Sequence, residues 1–146
     1  MKLKAEYLFD VNALLALLSE DHIHHQLMTG WLNDTDPQWS ICAFTETGFL
    51  RTATAPRPGK ITMTEAAAIL ESTTRRPGYH YLAVDADFQT LCSPFFARLY
   101  GTKQVTDVYL LGLAVRQGLV LVTMDKGILR LAGKDYGQHV LLLEAK

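Results

Sequence analysis

Short apolar runs of strand length alternate along this chain with apolar stripes of helical period. Apolar runs bounded by polar or turn residues are typical of buried strands, whereas apolar residues three and four apart indicate helices. The pattern predicts strands at Tyr7–Phe9, Trp39–Ala43, Tyr79–Val84, Leu119–Thr123 and Val140–Leu143. Because these strands alternate with helical segments, the sequence predicts an α/β fold with a parallel sheet covered on both faces.

The predicted helices carry recognisable start and stop signals. Thr62 and Glu65 have the spacing of a capping box, Thr45 and Thr106 are of a residue type that caps helices, and Gly118 is expected to end one. The predicted helices are Val11–Ser19, His24–Leu32, one that follows Thr45, one from Thr62 to about Arg75, Phe88–Tyr100 with a break near Pro94, one from Thr106 to about Gln117, and Gly127–Leu131.

Length and composition indicate one globular domain spanning residues 1–146, with 49% hydrophobic residues to form its core. The net charge of -1 provides no strong field toward nucleic acid or membrane, although a local basic rim beside an acidic site would not alter this sum. Cys42 and Cys92 form no CxxC pair, so we expect buried thiols and no disulfide framework. Without a signal peptide or a membrane-length apolar run, we expect a soluble cytoplasmic protein.

Four acidic residues stand at corresponding points of the predicted sheet. Asp10 follows the first strand, Glu46 follows the strand at 39–43, and Asp125 follows the strand at 119–123. Asp107 lies in the first turn of the helix that leads into that strand. Ligands of open parallel sheets bind beyond the carboxyl ends of the strands. We therefore expect these four carboxyl groups to share one pocket.

Such a pocket favours a divalent cation. Each acid alone has a structural explanation as a helix cap, a helix-dipole partner or a turn residue. Taken together, however, close carboxylates raise one another's pKa and destabilise the fold unless a cation compensates them. Oxygen ligands favour Mg²⁺ or Mn²⁺ over Zn²⁺, and a metal-activated water can hydrolyse a phosphodiester. The predicted metal ligands are Asp10, Asp107 and Asp125. Among the four acids, Glu46 has the least well defined predicted position, because the start of its helix is the least clear boundary in the sequence.

The segments that carry these acids resemble a known family. The runs 8–17, 45–46, 104–114 and 121–125, in this order and at these intervals, resemble the PIN-domain ribonucleases and, more narrowly, the VapC toxins of type II toxin–antitoxin pairs. The resemblance covers nearly the whole chain. It implies a three-layer α/β/α fold with a mostly parallel central sheet, Mg²⁺- or Mn²⁺-dependent endonucleolytic cleavage of RNA, a homodimer, and neutralisation by a cognate antitoxin.

The resemblance also implies roles for individual residues. The family's acidic positions fall on Asp10, Glu46, Asp107 and Asp125, and its acid-orienting polar positions fall on Asn12 and Thr106. Thr123, two residues before Asp125, is expected to orient the acids as well. Arg51 and Lys103 are the basic residues best placed to bind RNA phosphates, although ordinary solvated charges explain them equally well.

Three other functions remain open from the residues. A PIN-like structure-specific DNA nuclease is compatible with the same acids, because recognition of the 2′-OH leaves no readable trace here. A phosphotransfer module also uses acids at a parallel sheet edge, but one common type requires Asp-x-Asp, and Asn12 occupies the second position. A non-catalytic binding module would have no need of all four acids.

Overall fold

A parallel sheet forms the centre of the protein. The computed structural model describes residues 3–145. Within them, five strands form: β1 (Tyr7–Phe9), β2 (Trp39–Ile41), β3 (Tyr79–Tyr81), β4 (Val120–Thr123) and β5 (Val140–Leu142). The strands lie in the order β3-β2-β1-β4-β5, and each pairing is parallel. The predicted α/β class is confirmed, and the sheet is entirely parallel.

Helices connect the strands and cover both faces of the sheet. In the described range they are α1 (Val11–Leu18), α2 (His25–Thr35), α3 (Ala43–Ala53), α4 (Met63–Thr73), α5 (Phe88–Cys92), α6 (Val105–Gln117) and α7 (Lys126–Tyr136). Short 3-10 segments occupy Ser93–Arg98, Thr102–Gln104 and Gly137–His139. No helix within residues 3–145 combines the length and apolar character needed to cross a bilayer.

Alternating strand side chains build two cores, one on each face of the sheet. Leu8 and Leu121 contribute to a core with residues of α5, α6 and α7. Phe9 and Val122, one position further along, contribute to a second core with residues of α1, α2, α3 and α4. Successive strand residues point to opposite faces, so a fully apolar run such as β4 must be covered on both sides. The result is the expected three-layer α/β/α arrangement.

Two helices begin earlier than the sequence predicts. Thr45 and Thr106 are not N-caps, because α3 begins at Ala43 after Cys42 and α6 begins at Val105. Thr45 is instead the third residue of α3, and its hydroxyl lies 3.4 Å from the Cys42 backbone nitrogen that it accepts from. A 3-10 turn leads directly into α6, which removes the need for a side-chain cap there. The capping box predicted for α4 is confirmed by the Thr62 and Glu65 pair.

The remaining differences concern lengths. β3 ends at Tyr81, and α5 gives way to 3-10 structure at Ser93, one residue before Pro94. The helix predicted at 127–131 extends to Tyr136 across a kink at Gly133, whose φ is 64°. Arg98 stabilises this kink by donating hydrogen bonds to the Leu131 and Ala132 carbonyls. This interaction joins residues more than thirty positions apart and was invisible to local patterns.

Candidate active site

The three aspartates among the predicted residues lie where the direction of the sheet's connections changes. From β1 the chain continues to β2 and β3 on one side, and it later returns to β4 and β5 on the other side. Asp10 directly follows β1, and Asp125 follows β4 after one intervening residue. Ligands of open α/β sheets bind in the crevice at such a switch point, beyond the carboxyl ends of the strands. The topology therefore puts these two residues at the position where ligands of such sheets bind.

Asp10 is a buried acid held from two sides. It is only 2% exposed. One carboxyl oxygen accepts a hydrogen bond from the Ala13 backbone at 2.7 Å, and the other accepts one from the Thr123 hydroxyl at 2.6 Å. Burial raises the pKa of Asp10 to about 7, and the nearby charges of Asp107 and Asp125 add to this increase, although the two hydrogen bonds oppose it. The fold thus fixes the orientation of a carboxyl group whose ionised form it disfavours.

Thr123 connects Asp10 to Asp125. Its hydroxyl donates to Asp10 and accepts a hydrogen bond from the Asp125 backbone N–H at 3.0 Å. The Asp125 side chain caps α7 by accepting a hydrogen bond from the Gly127 backbone at 2.8 Å. Since Thr123 is fully buried at the end of β4, this chain of hydrogen bonds sets the positions of both acids relative to the sheet edge.

Asp107 completes the acidic group from α6, which packs on the opposite face of the sheet from α1. It lies half-buried in the first turn of α6. Burial raises the pKa of Asp107 to about 6, and the charge of Asp125 raises it further. The charge of Asp125 therefore disfavours the ionisation of both Asp10 and Asp107, as expected for neighbouring like charges.

No cationic side chain compensates this group within the part of the chain that the structure describes. The ion pairs there join Arg75 to Glu71 and Arg116 to Asp85, away from the three aspartates. The described residues also contain no set of three or more His, Cys, Asp or Glu side chains already arranged around one metal position. Mg²⁺ is commonly held by one or two carboxylates plus water. The uncompensated acids therefore fit a hydrated divalent cation better than a fully enclosed one.

Glu46 lies at the interface of α3 and α4. It is half-buried in the first turn of α3, beside Leu50 and the α4 residues Met63 and Leu70. Burial raises the pKa of the Glu46 carboxyl. Its charge acts on the β3 tyrosines, because the pKa of each hydroxyl is raised by burial and then by Glu46. The structure thus brings Asp10, Asp107 and Asp125 together and sets Glu46 between α3, α4 and β3.

The other predicted residues form no hydrogen bond with the Asp10 side chain in the described structure, where its partners are Ala13 and Thr123. Asn12 is exposed at the second residue of α1, and Thr106 is half-buried at the second residue of α6. Arg51 is exposed in the last turn of α3, and Lys103 is exposed in the 3-10 turn before α6. Both basic side chains are therefore accessible to a polyanion.

Thr45 has a positioning role that sequence reasoning did not identify. Its buried hydroxyl donates a hydrogen bond to the Phe9 carbonyl at 2.9 Å, directly before Asp10. This bond ties the first turn of α3 to the end of β1. The available signal was a threonine one residue before Glu46, but the same residue type also suggested a helix cap.

Comparison with known proteins places these features in a family. The PIN domain model matches residues 7–134. "Ribonuclease VapC38" of Mycobacterium tuberculosis is 38% identical over 128 residues, which cover 86% of this chain and 89% of that protein. "Ribonuclease VapC44" of the same species is 36% identical over 123 residues, which cover 83% and 87%.

Solved structures show the same fold. The DNA-bound VapBC structure from Salmonella typhimurium superposes with a TM-score of 0.64 over 94% of this chain and 98% of that chain, at 17% identity. VapBC2 from Rickettsia felis gives a TM-score of 0.61 at 10% identity, over 96% and 98% of the two chains. With its sheet order, its acids at the carboxyl edge and these similarities, the chain belongs to the PIN-domain family, among the VapC-type toxins.

Proposed function

We propose that this protein is a Mg²⁺- or Mn²⁺-dependent endoribonuclease that acts as the toxin of a type II toxin–antitoxin pair. The relatives named ribonucleases support RNA as the substrate. The observation that carries the proposal is the buried Asp10 carboxyl, fixed by Ala13 and Thr123 beside the charges of Asp107 and Asp125. A buried acid with like-charged neighbours is costly for the fold, and a bound cation offsets that cost.

Asp10, Asp107 and Asp125 are the proposed metal-holding residues. When bound, the ion supplies an activated water and neutralises charge on the phosphate. Thr123 fixes the orientation of the Asp10 carboxyl through its 2.6 Å hydrogen bond. Because the pKa of Asp10 is about 7, this carboxyl loses its proton near neutral pH, and cation binding favours the loss.

Glu46 is the proposed fourth acid of the site. It lies on a different helix from Asp107, at the side where β3 ends. Because burial raises its pKa, it retains a proton to higher pH than an exposed glutamate. The replacement Glu46→Gln is expected to lower kcat more than cation affinity. An equal loss of cation affinity would instead make Glu46 a ligand.

Substrate and partner contacts surround this site in the proposal. Arg51 and Lys103, both exposed, bind phosphates of the RNA, and Asn12 and Thr106 orient the acids. The VapBC structures that share the fold are named as complexes, which supports a cognate antitoxin as a partner of this chain. A homodimer located in the bacterial cytoplasm completes the proposal.

The test compares Asp10→Asn and Asp107→Asn with the wild type, using purified protein, RNA and Mg²⁺ or Mn²⁺. Both variants are expected to lose at least roughly 100-fold in cleavage rate, since losses of 10- to 100-fold already follow changes around metal ligands. The control is Asp85→Asn, which removes a carboxylate that is paired with Arg116 away from the site. It should cleave as the wild type does.

Several outcomes would contradict the proposal. Undiminished cleavage by both site variants would show that the aspartates do not support the reaction. Cleavage of DNA with no cleavage of RNA would favour the DNA nuclease. Calorimetry without Mg²⁺ or Mn²⁺ binding, combined with no cleavage of either nucleic acid, would favour a binding module.

A further inference from the structure

Tyr81 is an exposed aromatic residue at the same edge of the sheet as the aspartates. It ends β3, the strand at one margin of the sheet, and is 53% exposed. Tyr81 pairs in register with Ile41, and Leu8 pairs with Ser40, so Tyr81 and Phe9 stand at the same level of the sheet. Adjacent strands are about 4.8 Å apart, which places the Tyr81 backbone about 10 Å from the end of β1.

The Tyr81 side chain lies on the face of the sheet that carries α3 and α4. Tyr79, two residues earlier, packs edge-on against Trp39 with ring centroids 5.5 Å apart and belongs to the core on that face. Side chains two apart along a strand share a face. The charge of the Glu46 carboxylate acts on this residue as well: burial raises the pKa of the Tyr81 hydroxyl, and the Glu46 charge raises it further.

The core does not account for the position of this ring. Trp39 and Phe9 on the same face are fully buried and stack with centroids 4.7 Å apart. Tyr79 continues this row of aromatic residues across the sheet by packing against Trp39, whereas half of Tyr81 remains in solvent. A planar, half-exposed ring beside a nuclease site offers one face to a nucleic-acid base, and stacking on tyrosine tolerates any base.

The charge of Glu46 determines which part of a nucleic acid can lie against Tyr81. Glu46, beside Tyr81, repels phosphate groups, whereas a base is uncharged and can lie against the ring. A cation at the aspartates would attract the phosphate, about two strand spacings away. The backbone of the substrate would therefore lie over the aspartates with one base turned toward β3.

We propose that Tyr81 is a base-stacking residue that positions an RNA nucleotide flanking the scissile phosphate. This inference rests on the proposed ribonuclease function. It makes Tyr81 a binding and specificity residue, and it does not assign it any step of bond cleavage.

The test replaces Tyr81 by Phe, which keeps the ring, and by Leu, which keeps apolar bulk without a planar ring. Binding of single-stranded RNA is measured without divalent cation, and kcat and KM are measured with Mg²⁺ or Mn²⁺. A fluorescent adenine analogue, placed along the RNA, reports stacking through quenching. Ile23→Ala is the control, because Ile23 is 88% exposed in the segment between α1 and α2. This segment follows α1, which begins at the sheet edge and is about 12 Å long.

Tyr81→Phe should bind, quench and cleave as the wild type does. Tyr81→Leu should raise Kd and KM about ten-fold, the lower part of the range for one stacked base, with kcat retained and quenching lost at one position. Unchanged Kd and quenching in Tyr81→Leu would overturn the inference. A changed oligomeric state of Tyr81→Leu in size-exclusion chromatography would also overturn it, since Tyr81 would then contact a second copy of the chain.

The two proposals can fail separately. If the wild type binds RNA with Tyr81-dependent quenching but cleaves none, the ribonuclease function fails and the stacking role stands. If the wild type cleaves RNA and Tyr81→Leu binds and cleaves it equally well, only the stacking role fails. If the wild type neither binds nor cleaves RNA, both fail.

Discussion

Replacing Asp10 by Asn should stabilise the metal-free protein while abolishing its proposed activity. Asp10 is 2% exposed, and its pKa of about 7 compares with an ordinary value of 3.8. Between these two pH values the folded chain binds more protons than the unfolded chain, so stability falls as pH rises. Below pH 4 both states are protonated and the penalty is absent, and above pH 7 it is complete.

The size of this penalty follows from the pKa difference of Asp10. At about 1.4 kcal/mol for each tenfold change in proton affinity, ionised Asp10 costs the fold about 4 kcal/mol at pH 8. Asparagine removes the charge, but it leaves the Thr123 hydroxyl without the acceptor at 2.6 Å, a loss of about 1 kcal/mol. The expected gain is therefore about 3 kcal/mol, or roughly 6 to 12 °C in Tm for a chain of this length.

The assay is urea unfolding of wild type and Asp10→Asn in EDTA at pH 8 and pH 5. The advantage of the variant should be large at pH 8 and should decrease strongly at pH 5, where wild-type Asp10 is mostly protonated. The control Asp34→Asn, which changes an exposed residue of α2, should alter stability by less than about 0.5 kcal/mol at either pH. Equal stability of Asp10→Asn and wild type at pH 8 would refute the assignment of Asp10 as a destabilising buried carboxylate.

Three further predictions concern the cation, the threonine and helix packing. Saturating Mn²⁺ should raise Tm more at pH 8 than at pH 5, because the cation favours ionised acids; an equal rise would contradict the acidic site. Thr123→Val should lower cleavage about 10- to 100-fold by freeing Asp10, and full activity would exclude the positioning role. Gly112→Ala should lower the midpoint of urea unfolding, because the added Cβ would lie 2.2 Å from the Leu91 carbonyl oxygen. Gly30→Ala is the matched control: the added Cβ meets open space, and the change should stabilise α2 by about 0.5 to 1 kcal/mol.

The positions of the strands and helices could be predicted because burial imposes a periodic pattern of apolar residues on the sequence. β4 is apolar at each of Val120, Leu121 and Val122 since both faces of the sheet are covered, and that pattern can be read directly. Asp10 and Asp125 were accessible by the same reasoning, because each is an acid that closely follows an apolar strand. The strand order was not predicted, since it depends on which edges pair in three dimensions.

Helix starts were less accessible because their hydrogen-bond partners vary. Cys42 precedes α3 although cysteine is an uncommon cap, and the Thr45 hydroxyl both approaches the Cys42 backbone and donates to Phe9. The extension of α7 past Gly133 depends on Arg98, a residue from a distant 3-10 segment. Local propensity contains no information about such long-range partners.

Glu46 shows why a shared sheet edge does not by itself define a shared pocket. Asp10 directly follows β1 and Asp125 follows β4 after one residue, so their carboxyl groups can deviate little from the edge. Glu46 follows β2 by five residues and projects from a helix, and its charge acts on Tyr79 and Tyr81. In the proposed function Glu46 therefore serves the neighbouring region of the edge, where the substrate extends, while the three aspartates hold the ion. Measuring cation affinity and kcat separately for Glu46→Gln and Asp10→Asn distinguishes these two positions, because only Asp10→Asn should weaken the binding of the cation.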